Sequence, residues 1–232
     1  MCGRFLVDDE VYAEMWELLN GPDGIALSDA LAGVPADART ASPGEAPGLE
    51  SSGSGEALPP PLPALVKRGE VFPANTAFVI GNGGVEATKW GFPHWKRSGV
   101  IINARSETAH EKNMFRGPLM RRRCVIPSSG FYEWSRGGGK LKDKYLLRLP
   151  GERVLYMAGM ISIFRDSGGC EYSAFVILTT AANESMAPIH DRMPVILAPD
   201  EREQWIGDDD FMRQALRRPG PELVSHPGAT SG

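Results

Sequence analysis

The sequence predicts an α+β fold built on a curved, barrel-like and mainly antiparallel β-sheet with a few peripheral helices. Three observations support this prediction. After about residue 70 the chain alternates between short apolar runs of strand character and clusters of turn residues. Helical periodicity is confined to a few short segments. The 232 residues, 42% of them apolar, can bury one sizeable core, and many strands with few helices favour a sheet that curves around it.

The first predicted element is a short amphipathic helix over residues 9–19. Val11, Met15 and Leu18 recur at helical spacing, and Asn20-Gly21-Pro22 is a strong stop signal. The helix is therefore expected to end at about residue 20.

A low-complexity segment follows at about residues 33–63. Within residues 42–63, 14 of 22 residues are Pro, Gly or Ser, a composition that supplies little core. Too little chain precedes this segment to fold alone. We therefore interpret residues 1–218 as a single domain with a surface insertion. The tail over 219–232 is expected to be disordered, apart from one edge strand at about 223–225.

The segments after the insertion carry the predicted sheet. Strands are expected wherever β-branched and aromatic runs lie between Gly-rich turns. They span residues 77–80, 85–90, 100–103, 124–126, 131–134, 145–149, 154–163 and 172–179. A helix is expected from about Thr108, whose spacing to Glu111 fits a capping box, and another over 200–216, broken at Gly207.

Composition excludes several classes of protein. A net charge of −4 argues against a generic nucleic-acid binder, because phosphate binding depends on Lys and Arg. The chain has no apolar stretch of the roughly 20 residues that a membrane span needs and no signal-peptide pattern, so a cytosolic protein without a membrane partner is expected. Three widely spaced cysteines without a Cys-x-x-Cys pair predict no zinc site, no other metal and no structural disulfide.

Cys2 is the position with the most distinctive chemistry. Removal of Met1, which is plausible before so small a side chain, would leave a cysteine with a free α-amine. The amine has a pKa of about 7.7–8.0 and the thiol one of about 8.5, so both nucleophilic forms are populated near neutral pH. The amine can condense with an aldehyde, and the thiol can then close a five-membered thiazolidine ring. The same group could serve amide hydrolysis, with its own amine as the base.

Five motifs in order resemble the SRAP family, the SOS response-associated peptidases or abasic-site processing proteins. They are Met1-Cys2-Gly3-Arg4-Phe5, Trp90-Gly91-Phe92-Pro93-His94-Trp95, Asn103-Ala104-Arg105-Ser106-Glu107-Thr108, Pro127-Ser128-Ser129-Gly130-Phe131-Tyr132-Glu133-Trp134 and Ile189-His190-Asp191-Arg192-Met193-Pro194. The resemblance covers residues 2–5 and about 71–197, and it implies the SRAP fold.

The resemblance also implies a set of catalytic residues. Cys2 would form a thiazolidine with the ring-opened aldehyde of an abasic site in single-stranded DNA, assisted by Asn103, Glu133 and His190. Taken alone, Glu133 lies in an aromatic strand where desolvation would raise its pKa towards the range of a general acid or base. His190 lies in a loop, and its reference pKa of about 6.5 suits proton transfer at neutral pH.

A second set of residues is expected to hold DNA. The resemblance implies phosphate contacts for Arg4 and Arg105 and a role for Thr179 at the site. Trp90 and Trp134 are candidates for base stacking, although either could be an ordinary core residue.

Local charge supports a nucleic-acid partner in spite of the acidic total. Residues 96–148 contain 13 Lys or Arg and four Asp or Glu, so this stretch carries a net charge of +9. It includes the Asn103, Arg105 and Glu133 motifs and the run Arg121-Arg122-Arg123. Positive charge is therefore expected on the part of the chain that faces DNA.

The leading hypothesis is a DNA-damage protein that crosslinks abasic sites in single-stranded DNA without a cofactor. It would act as a monomer in the cytoplasm, nucleoid-associated in bacteria when engaged with DNA. Two alternatives remain open: a cysteine peptidase, acting on other proteins or only on its own Met1-Cys2 bond, and a non-covalent single-strand binder. Weak lyase activity at abasic sites is an expected side reaction of the imine.

Overall fold

A computed structural model describes residues 3–20, 66–135 and 142–228 of the chain. The strands are β1 (Arg4–Val7), β2 (Gly69–Val71), β3 (Thr76–Gly81), β4 (Gly84–Trp90), β5 (Phe92–Pro93), β6 (Val100–Ile101), β7 (Asn103–Arg105), β8 (Arg123–Ser128), β9 (Gly130–Trp134), β10 (Lys144–Arg148), β11 (Leu155–Arg165), β12 (Glu171–Ala181), β13 (Arg192–Pro194), β14 (Ile196–Leu197) and β15 (Val224–Pro227). The α-helices are α1 (Asp9–Asn20), α2 (Asn113–Arg121), α3 (Arg202–Gly207) and α4 (Asp209–Ala215).

Five strands close into a barrel in the order β12, β4, β3, β8, β11 and back to β12. The β4 and β12 strands run parallel, and the other four pairs of the ring are antiparallel. The short strands β7, β13 and β14 extend the barrel by pairing with β12 or β11. The predicted α+β fold with a barrel-like, mainly antiparallel sheet is confirmed.

Close packing inside the barrel depends on Gly159 of β11. A Cβ atom at this position would stand 2.4 Å from Cδ1 of Ile126 and 2.8 Å from the carbonyl oxygen of Val176. A side chain here would therefore push β8 and β12 apart, because neither a buried isoleucine nor a strand backbone can yield by that distance.

A second sheet carries the strand β1 as an interior strand, between β9 and β2. Its order is β15, β10, β9, β1, β2, and every pair is antiparallel. Ser128 joins this sheet to the barrel, because its hydroxyl donates to the carbonyl of Leu6 at 2.9 Å. The edge strand expected at 223–225 is present as β15, paired with β10.

The helices pack on the outside of the sheets. In α1, Tyr12, Met15 and Leu19 are buried against Phe78 and Ala87 of the barrel, whereas Leu18, expected on the same apolar face, is 39% exposed. The helix expected over 200–216 is broken after Gly207 into α3 and α4.

The capping box at Thr108 does not start a helix. Residues 106–112 form turns instead, and α2 begins at Asn113. The amide of Ser106 donates to the carbonyl of Thr179, which ties this segment to β12 and keeps it out of a helical conformation.

The single strand predicted over 100–103 is two strands, β6 and β7. The interruption falls at Ile102, whose carbonyl accepts from the indole nitrogen of Trp90 and from the amide of Ile177. The insertion at 33–63 and the residues after 228 lie outside the described part of the chain.

Candidate functional site

Glu133 of β9 is a buried carboxyl at the centre of the candidate site. Its side chain is 3% exposed. Burial raises the pKa of Glu133, and the negative charge of Asp191 adds to the rise, while a backbone hydrogen bond from Trp134 opposes it. A carboxyl with a raised pKa is a stronger proton acceptor than an ordinary carboxylate.

Arg4 of β1 pairs with Tyr132 of β9, so its side chain lies on the face of this sheet opposite to that of Glu133. Its guanidinium stands 4.4 Å from the ring centroid of Phe72 and 4.9 Å from that of Trp134, and donates to Glu70 at 2.9 Å. Arg4 is therefore held by two aromatic faces and a carboxylate, with a third of its side chain still exposed. Trp134 is half-buried, and one of its faces is occupied by this arginine.

The carboxylate of Glu70 also accepts from the ammonium of Lys144 at 2.8 Å. Burial acts to raise the pKa of Glu70, but the hydrogen bonds from Lys144 and Arg4 together bring it below its ordinary value. Glu70 is thus a carboxylate shared by two cations.

The parallel pairing of β7 with β12 places Asn103 and Arg105 at one end of the barrel. Asn103 lies opposite Ile177, and Arg105 lies opposite Thr179. Asn103 is half-buried, whereas Arg105 is exposed. Arg105 forms no ion pair with any residue that the structure describes, so its guanidinium is available to a ligand phosphate.

Two of the residues expected to contact DNA lie in the core. Trp90 is completely buried, stacked 6.2 Å from Phe175 and edge-on to Phe5 at 5.0 Å. Thr179 is also completely buried, and its hydroxyl donates to the carbonyl of Ala104 at 3.5 Å. The assignment of Trp90 to base stacking was wrong, because no face of its ring is accessible, and the Thr179 side chain likewise cannot reach DNA.

His190 lies in the loop before β13 with its side chain 18% exposed. The backbone amide of Arg192 donates to Nδ1 of His190 at 3.0 Å, and Oδ1 of Asp191 stands 3.0 Å from the same nitrogen. The amide of Arg192 can donate to Nδ1 when the ring is neutral and its proton is on Nε2. The carboxylate of Asp191 can accept from Nδ1 when the ring is protonated, so each state of the imidazole has a hydrogen-bond partner.

Arg192 is a site residue to which the sequence reasoning gave no role. Its guanidinium grips both carboxylate oxygens of Glu107, at 2.5 and 2.8 Å, and donates to the carbonyl of Thr179. The hydrogen bond from Arg192 lowers the pKa of Glu107. Arg192 and Glu107 both lie inside the quoted motifs, which was the only signal in the sequence. Their ion pair joins the segment after β7 to β13.

Trp95 is a second residue that the sequence reasoning did not assign to DNA. It is 75% exposed, and the ammonium of Lys96 lies 4.1 Å from its ring centroid. Its position beside Lys96 and Arg97 was the signal that could have separated it from the buried Trp90.

One core cluster holds the elements of the site together. Four sequence neighbours of these residues belong to it: Phe5 beside Arg4, Ile102 beside Asn103, Ile189 beside His190 and Met193 beside Arg192. Packing of these apolar side chains therefore fixes the polar groups next to them, although they come from three distant parts of the sequence.

The basic run at 121–123 does not join this site. Arg123 is 4% exposed and bonds to Asp209 and to the carbonyls of Trp205 and Leu119. The carbonyl of Arg122 accepts from the amide of Ile161, which pairs with Phe175. Because Thr179 lies four residues further along β12, this run is about 13 Å from the Arg105 level at roughly 3.3 Å per residue. The expectation that the whole run faces DNA was wrong for Arg123, which has a structural role.

The cysteines differ in accessibility. Cys124 is buried, and burial raises its pKa well above the ordinary value, whereas Cys170 is exposed. Cys2 and Met1 lie outside the described residues. Over residues 3–20, 66–135 and 142–228 there is no group of three or more His, Cys, Asp or Glu that could hold a metal ion. Within the same ranges, no helix has the length and apolar character needed to cross a membrane.

Comparison with known sequences relates this arrangement to one family. The model of the SOS response associated peptidase (SRAP) family matches residues 59–227. The abasic site processing protein YoqW of Bacillus subtilis is 37% identical over 138 residues, which cover 56% of this chain and 62% of the relative. The abasic site processing protein HMCES of Gallus gallus is 34% identical over 178 residues, which cover 61% of this chain and 52% of the relative. The matched region therefore spans about half to three-fifths of the length of these two relatives.

Solved structures agree with the fold. A protein from Bacteroides thetaiotaomicron superposes with a TM-score of 0.61 at 29% identity, covering 68% of this chain and 77% of the other. A phage-related protein from Bordetella bronchiseptica superposes with a TM-score of 0.63 over 99% of this chain and 95% of the other. At 21% identity, the second likeness concerns the fold alone.

Proposed function

The chain belongs to the SOS response associated peptidase family, whose model matches residues 59–227, and from this premise we propose that it recognises abasic sites in single-stranded DNA and crosslinks to them through Cys2. The relatives named for abasic-site processing supply the substrate class. Met1 would be removed first, which exposes the α-amine of Cys2.

The observation that carries the proposal is the environment of Glu133. This carboxyl is buried, has a raised pKa, and is close enough to Asp191, the neighbour of His190, to feel its charge. Two proton-exchanging groups thus face one site. Aldehyde capture needs such groups, because ring opening of the sugar and loss of water from the adduct both require proton transfer.

The proposed reaction uses both nucleophiles of Cys2. The α-amine adds to the aldehyde carbon, and loss of one water leaves an imine. The thiol sulfur then bonds to the same carbon while its proton passes to the nitrogen, which closes the thiazolidine. Cys2 precedes Arg4 of β1 by two residues in the sequence, and β1 pairs with β9, the strand of Glu133.

His190 and Asn103 take supporting roles in this proposal. The neutral imidazole has its proton on Nε2, where it can be donated to the sugar oxygen as the ring opens, and Asp191 can stabilise the charged ring at other steps. The side-chain amide of Asn103 orients the aldehyde or the amine by hydrogen bonding.

DNA would be held by groups around this centre. Arg105 offers an unpaired guanidinium to a phosphate, and Trp95 offers an exposed ring on which a base can stack, a contact worth roughly 1–3 kcal/mol. Arg4 is already paired with Glu70, so we assign it first to supporting Trp134 and the site, and second to phosphate.

The test is covalent capture of an abasic oligonucleotide by protein whose intact mass shows that Met1 is gone. We expect a species that survives heating in denaturant and does not form with the undamaged strand. Cys2→Ser should abolish this stable species, while leaving an imine that borohydride can trap. Cys170→Ser is the matched control, because Cys170 is the exposed thiol among the described residues, and it should crosslink normally.

Two results would contradict the proposal. One is the absence of a heat-stable species when Met1 is verifiably absent. The other is a Cys2→Ser protein that crosslinks as stably as the parent, since a serine hydroxyl cannot form the thiazolidine.

A peptidase activity is the second candidate, favoured by the name of the family. We infer that its minimal form would be one cleavage of the Met1-Cys2 bond by the protein itself. Mass spectrometry of Cys2→Ala and Glu133→Ala proteins tests this, because a chain that cleaves itself should retain Met1 in both. Normal loss of Met1 from both variants would assign the removal to a cellular aminopeptidase.

A further inference from the structure

A cavity of about 550 Å³ opens between α2, α4 and the end of β12, next to the candidate site, with which it shares Glu107. Its apolar wall is formed by Leu119, Met120, Met212 and Leu216. Met120 is 39% exposed, which is high for a large apolar side chain. The cavity falls in the size range of pockets that bind a ligand group, about 300–1,000 Å³.

Positive charge borders this apolar wall. Arg213 and Arg217 line the cavity, and both are exposed. Arg217 forms no ion pair with another described residue, and the partner of Arg213 is Asp210, itself 85% exposed, in a surface pair that contributes little. Of the acids, Glu107 lines the cavity but is already neutralised by Arg192.

Ser106 supplies a polar group at the wall of the cavity. It is 2% exposed, and its hydroxyl oxygen has no hydrogen-bond partner among the described residues. Buried polar groups are normally paired, because leaving one unpaired costs about 1–3 kcal/mol. A ligand carbonyl or carboxylate that reached this hydroxyl would remove that cost.

These features select the chemistry of the occupant. A nucleobase in a single-strand site stacks best on Trp, Tyr or Phe, and none of these is among the described residues that line the cavity; the ring present is the imidazole of His110, whose side chain is 62% exposed. An aliphatic and thioether wall instead accommodates a bulky apolar side chain, and the two arginines favour carboxylates next to it. A different pocket, lined by Pro199 and Ile206, is less suited to such a ligand than the cavity between α2 and α4. It also contains Asp200 and Glu203, whose carboxylates would repel an acidic ligand.

We propose that the cavity between α2 and α4 is a docking site for an acidic peptide segment of another protein that carries a bulky apolar anchor. The anchor inserts against Met120 and Leu216, and the flanking carboxylates pair with Arg217 and Arg213. The site goes beyond DNA processing and does not depend on Cys2.

The experiment is fluorescence anisotropy of the whole protein with a fluorescein-labelled peptide, Asp-Glu-Asp-Gly-Leu-Phe with a free C-terminus. We expect saturable binding that Arg217→Ala weakens about fivefold, equivalent to loss of one exposed charge pair. Met120→Asp should weaken it at least about tenfold, since it places a charge on the apolar wall. Arg165→Ala, an exposed arginine at the far end of β11, is the matched control and should bind normally.

A second peptide separates the contribution of the apolar anchor to the affinity from that of the acidic residues. In Asp-Glu-Asp-Gly-Ser-Ser the anchor is absent, so we expect binding at least about tenfold weaker. Equal affinity for the two peptides, or an unchanged affinity in both the Arg217 and Met120 variants, would overturn the proposal. An undamaged oligonucleotide that displaces the first peptide, and whose own affinity for the protein is unchanged by Met120→Asp, would also overturn the proposal. That result would assign the two arginines to nucleic-acid binding. Abasic-site crosslinking by Arg217→Ala should proceed at the parent rate, which keeps this test separate from that of the proposed function.

Discussion

Two regions of the molecule each contain a glutamate whose pKa is raised by burial, and they differ in what surrounds it. In the first, Glu133 lies on β9, which pairs with β1, and within electrostatic range of Asp191. In the second, Glu86 of β4 lies within electrostatic range of Arg122 and Cys124. Burial raises the pKa of both glutamates.

The difference lies in access and in neighbouring proton carriers. Glu133 lies within electrostatic range of Asp191, the sequence neighbour of His190, whereas the neighbour of Glu86 is a thiol that is completely buried and has a strongly raised pKa. A thiol of that kind is a poor nucleophile, because it is neither ionised nor reachable. A buried carboxyl beside a cysteine is therefore not enough to mark a site; an accessible nucleophile and a second proton-exchanging group are also required.

The largest expected effect follows from this contrast. Glu133→Gln removes the proton-exchanging carboxyl and should slow crosslinking to an abasic oligonucleotide by at least about a hundredfold. Glu86→Gln should leave the rate within about twofold, because it removes a group that has no substrate to act on. Single-turnover gel assays measure both, and similar rate losses in the two variants would show that the comparison is mistaken.

The second effect concerns the arginines of the Cys124 region. Arg123→Met should lower the free energy of unfolding by roughly 3 kcal/mol, because the buried carbonyls of Trp205 and Leu119 lose their charged donor. Arg121→Ala should change it by less than about 0.5 kcal/mol, as is usual for an exposed side chain. Urea denaturation checks both values. A small loss for Arg123→Met would return this arginine to the set available for DNA.

A smaller effect is expected for DNA affinity. Arg105→Ala should weaken binding of an undamaged single strand about fivefold and reduce the salt slope by about 0.7, the value for one phosphate contact on a single strand. Arg121→Ala should leave both quantities unchanged if the run at 121–123 lies off the DNA path. Titrations at several salt concentrations distinguish the cases, and equal losses would extend the interface to α2.

The smallest effect is a change in how stability depends on pH. Because the folded-state pKa of Glu133 is above the unfolded one, the folded state binds more protons, and stability falls as pH rises through the interval between the two values. Glu133→Gln has no such dependence. The unfolding free energy of this variant minus that of the parent should therefore increase with pH across that interval and stay constant above it. The slope cannot exceed about 1.4 kcal/mol per pH unit for one group. A difference that shrank with rising pH would reverse the assigned direction.

The sequence was a good guide to the strands of the fold and a poor guide to which side chains are accessible. Motif order identified the Glu133, Asn103 and His190 segments, and strand periodicity located most of the barrel. Trp90 and Trp95 lie in one motif, yet one is fully buried and the other 75% exposed. That outcome depends on Phe5 and Phe175, which pack against Trp90 from distant parts of the chain.

Local signals failed where a tertiary contact competed with them. The capping box at Thr108 was overridden because the amide of Ser106 bonds to Thr179 and the Glu107 side chain bonds to Arg192. Arg123 looked like a surface cation within a basic run, but its partners come from α3 and α4, more than 80 residues away. No periodicity in the sequence reports such pairings.

The central position of β1 has a consequence for biosynthesis. Arg4 pairs with Tyr132, and the other neighbour of β1 is β2 at residues 69–71, so neither edge of this strand can be satisfied by local chain. At about 5–20 residues per second, the ribosome needs roughly 6–25 s to make the intervening residues. During that time β1 has neither of its partner strands, and the candidate site cannot assemble until most of the protein has been translated. The proposed removal of Met1 by a cellular enzyme would therefore have an interval in which to precede assembly of the site.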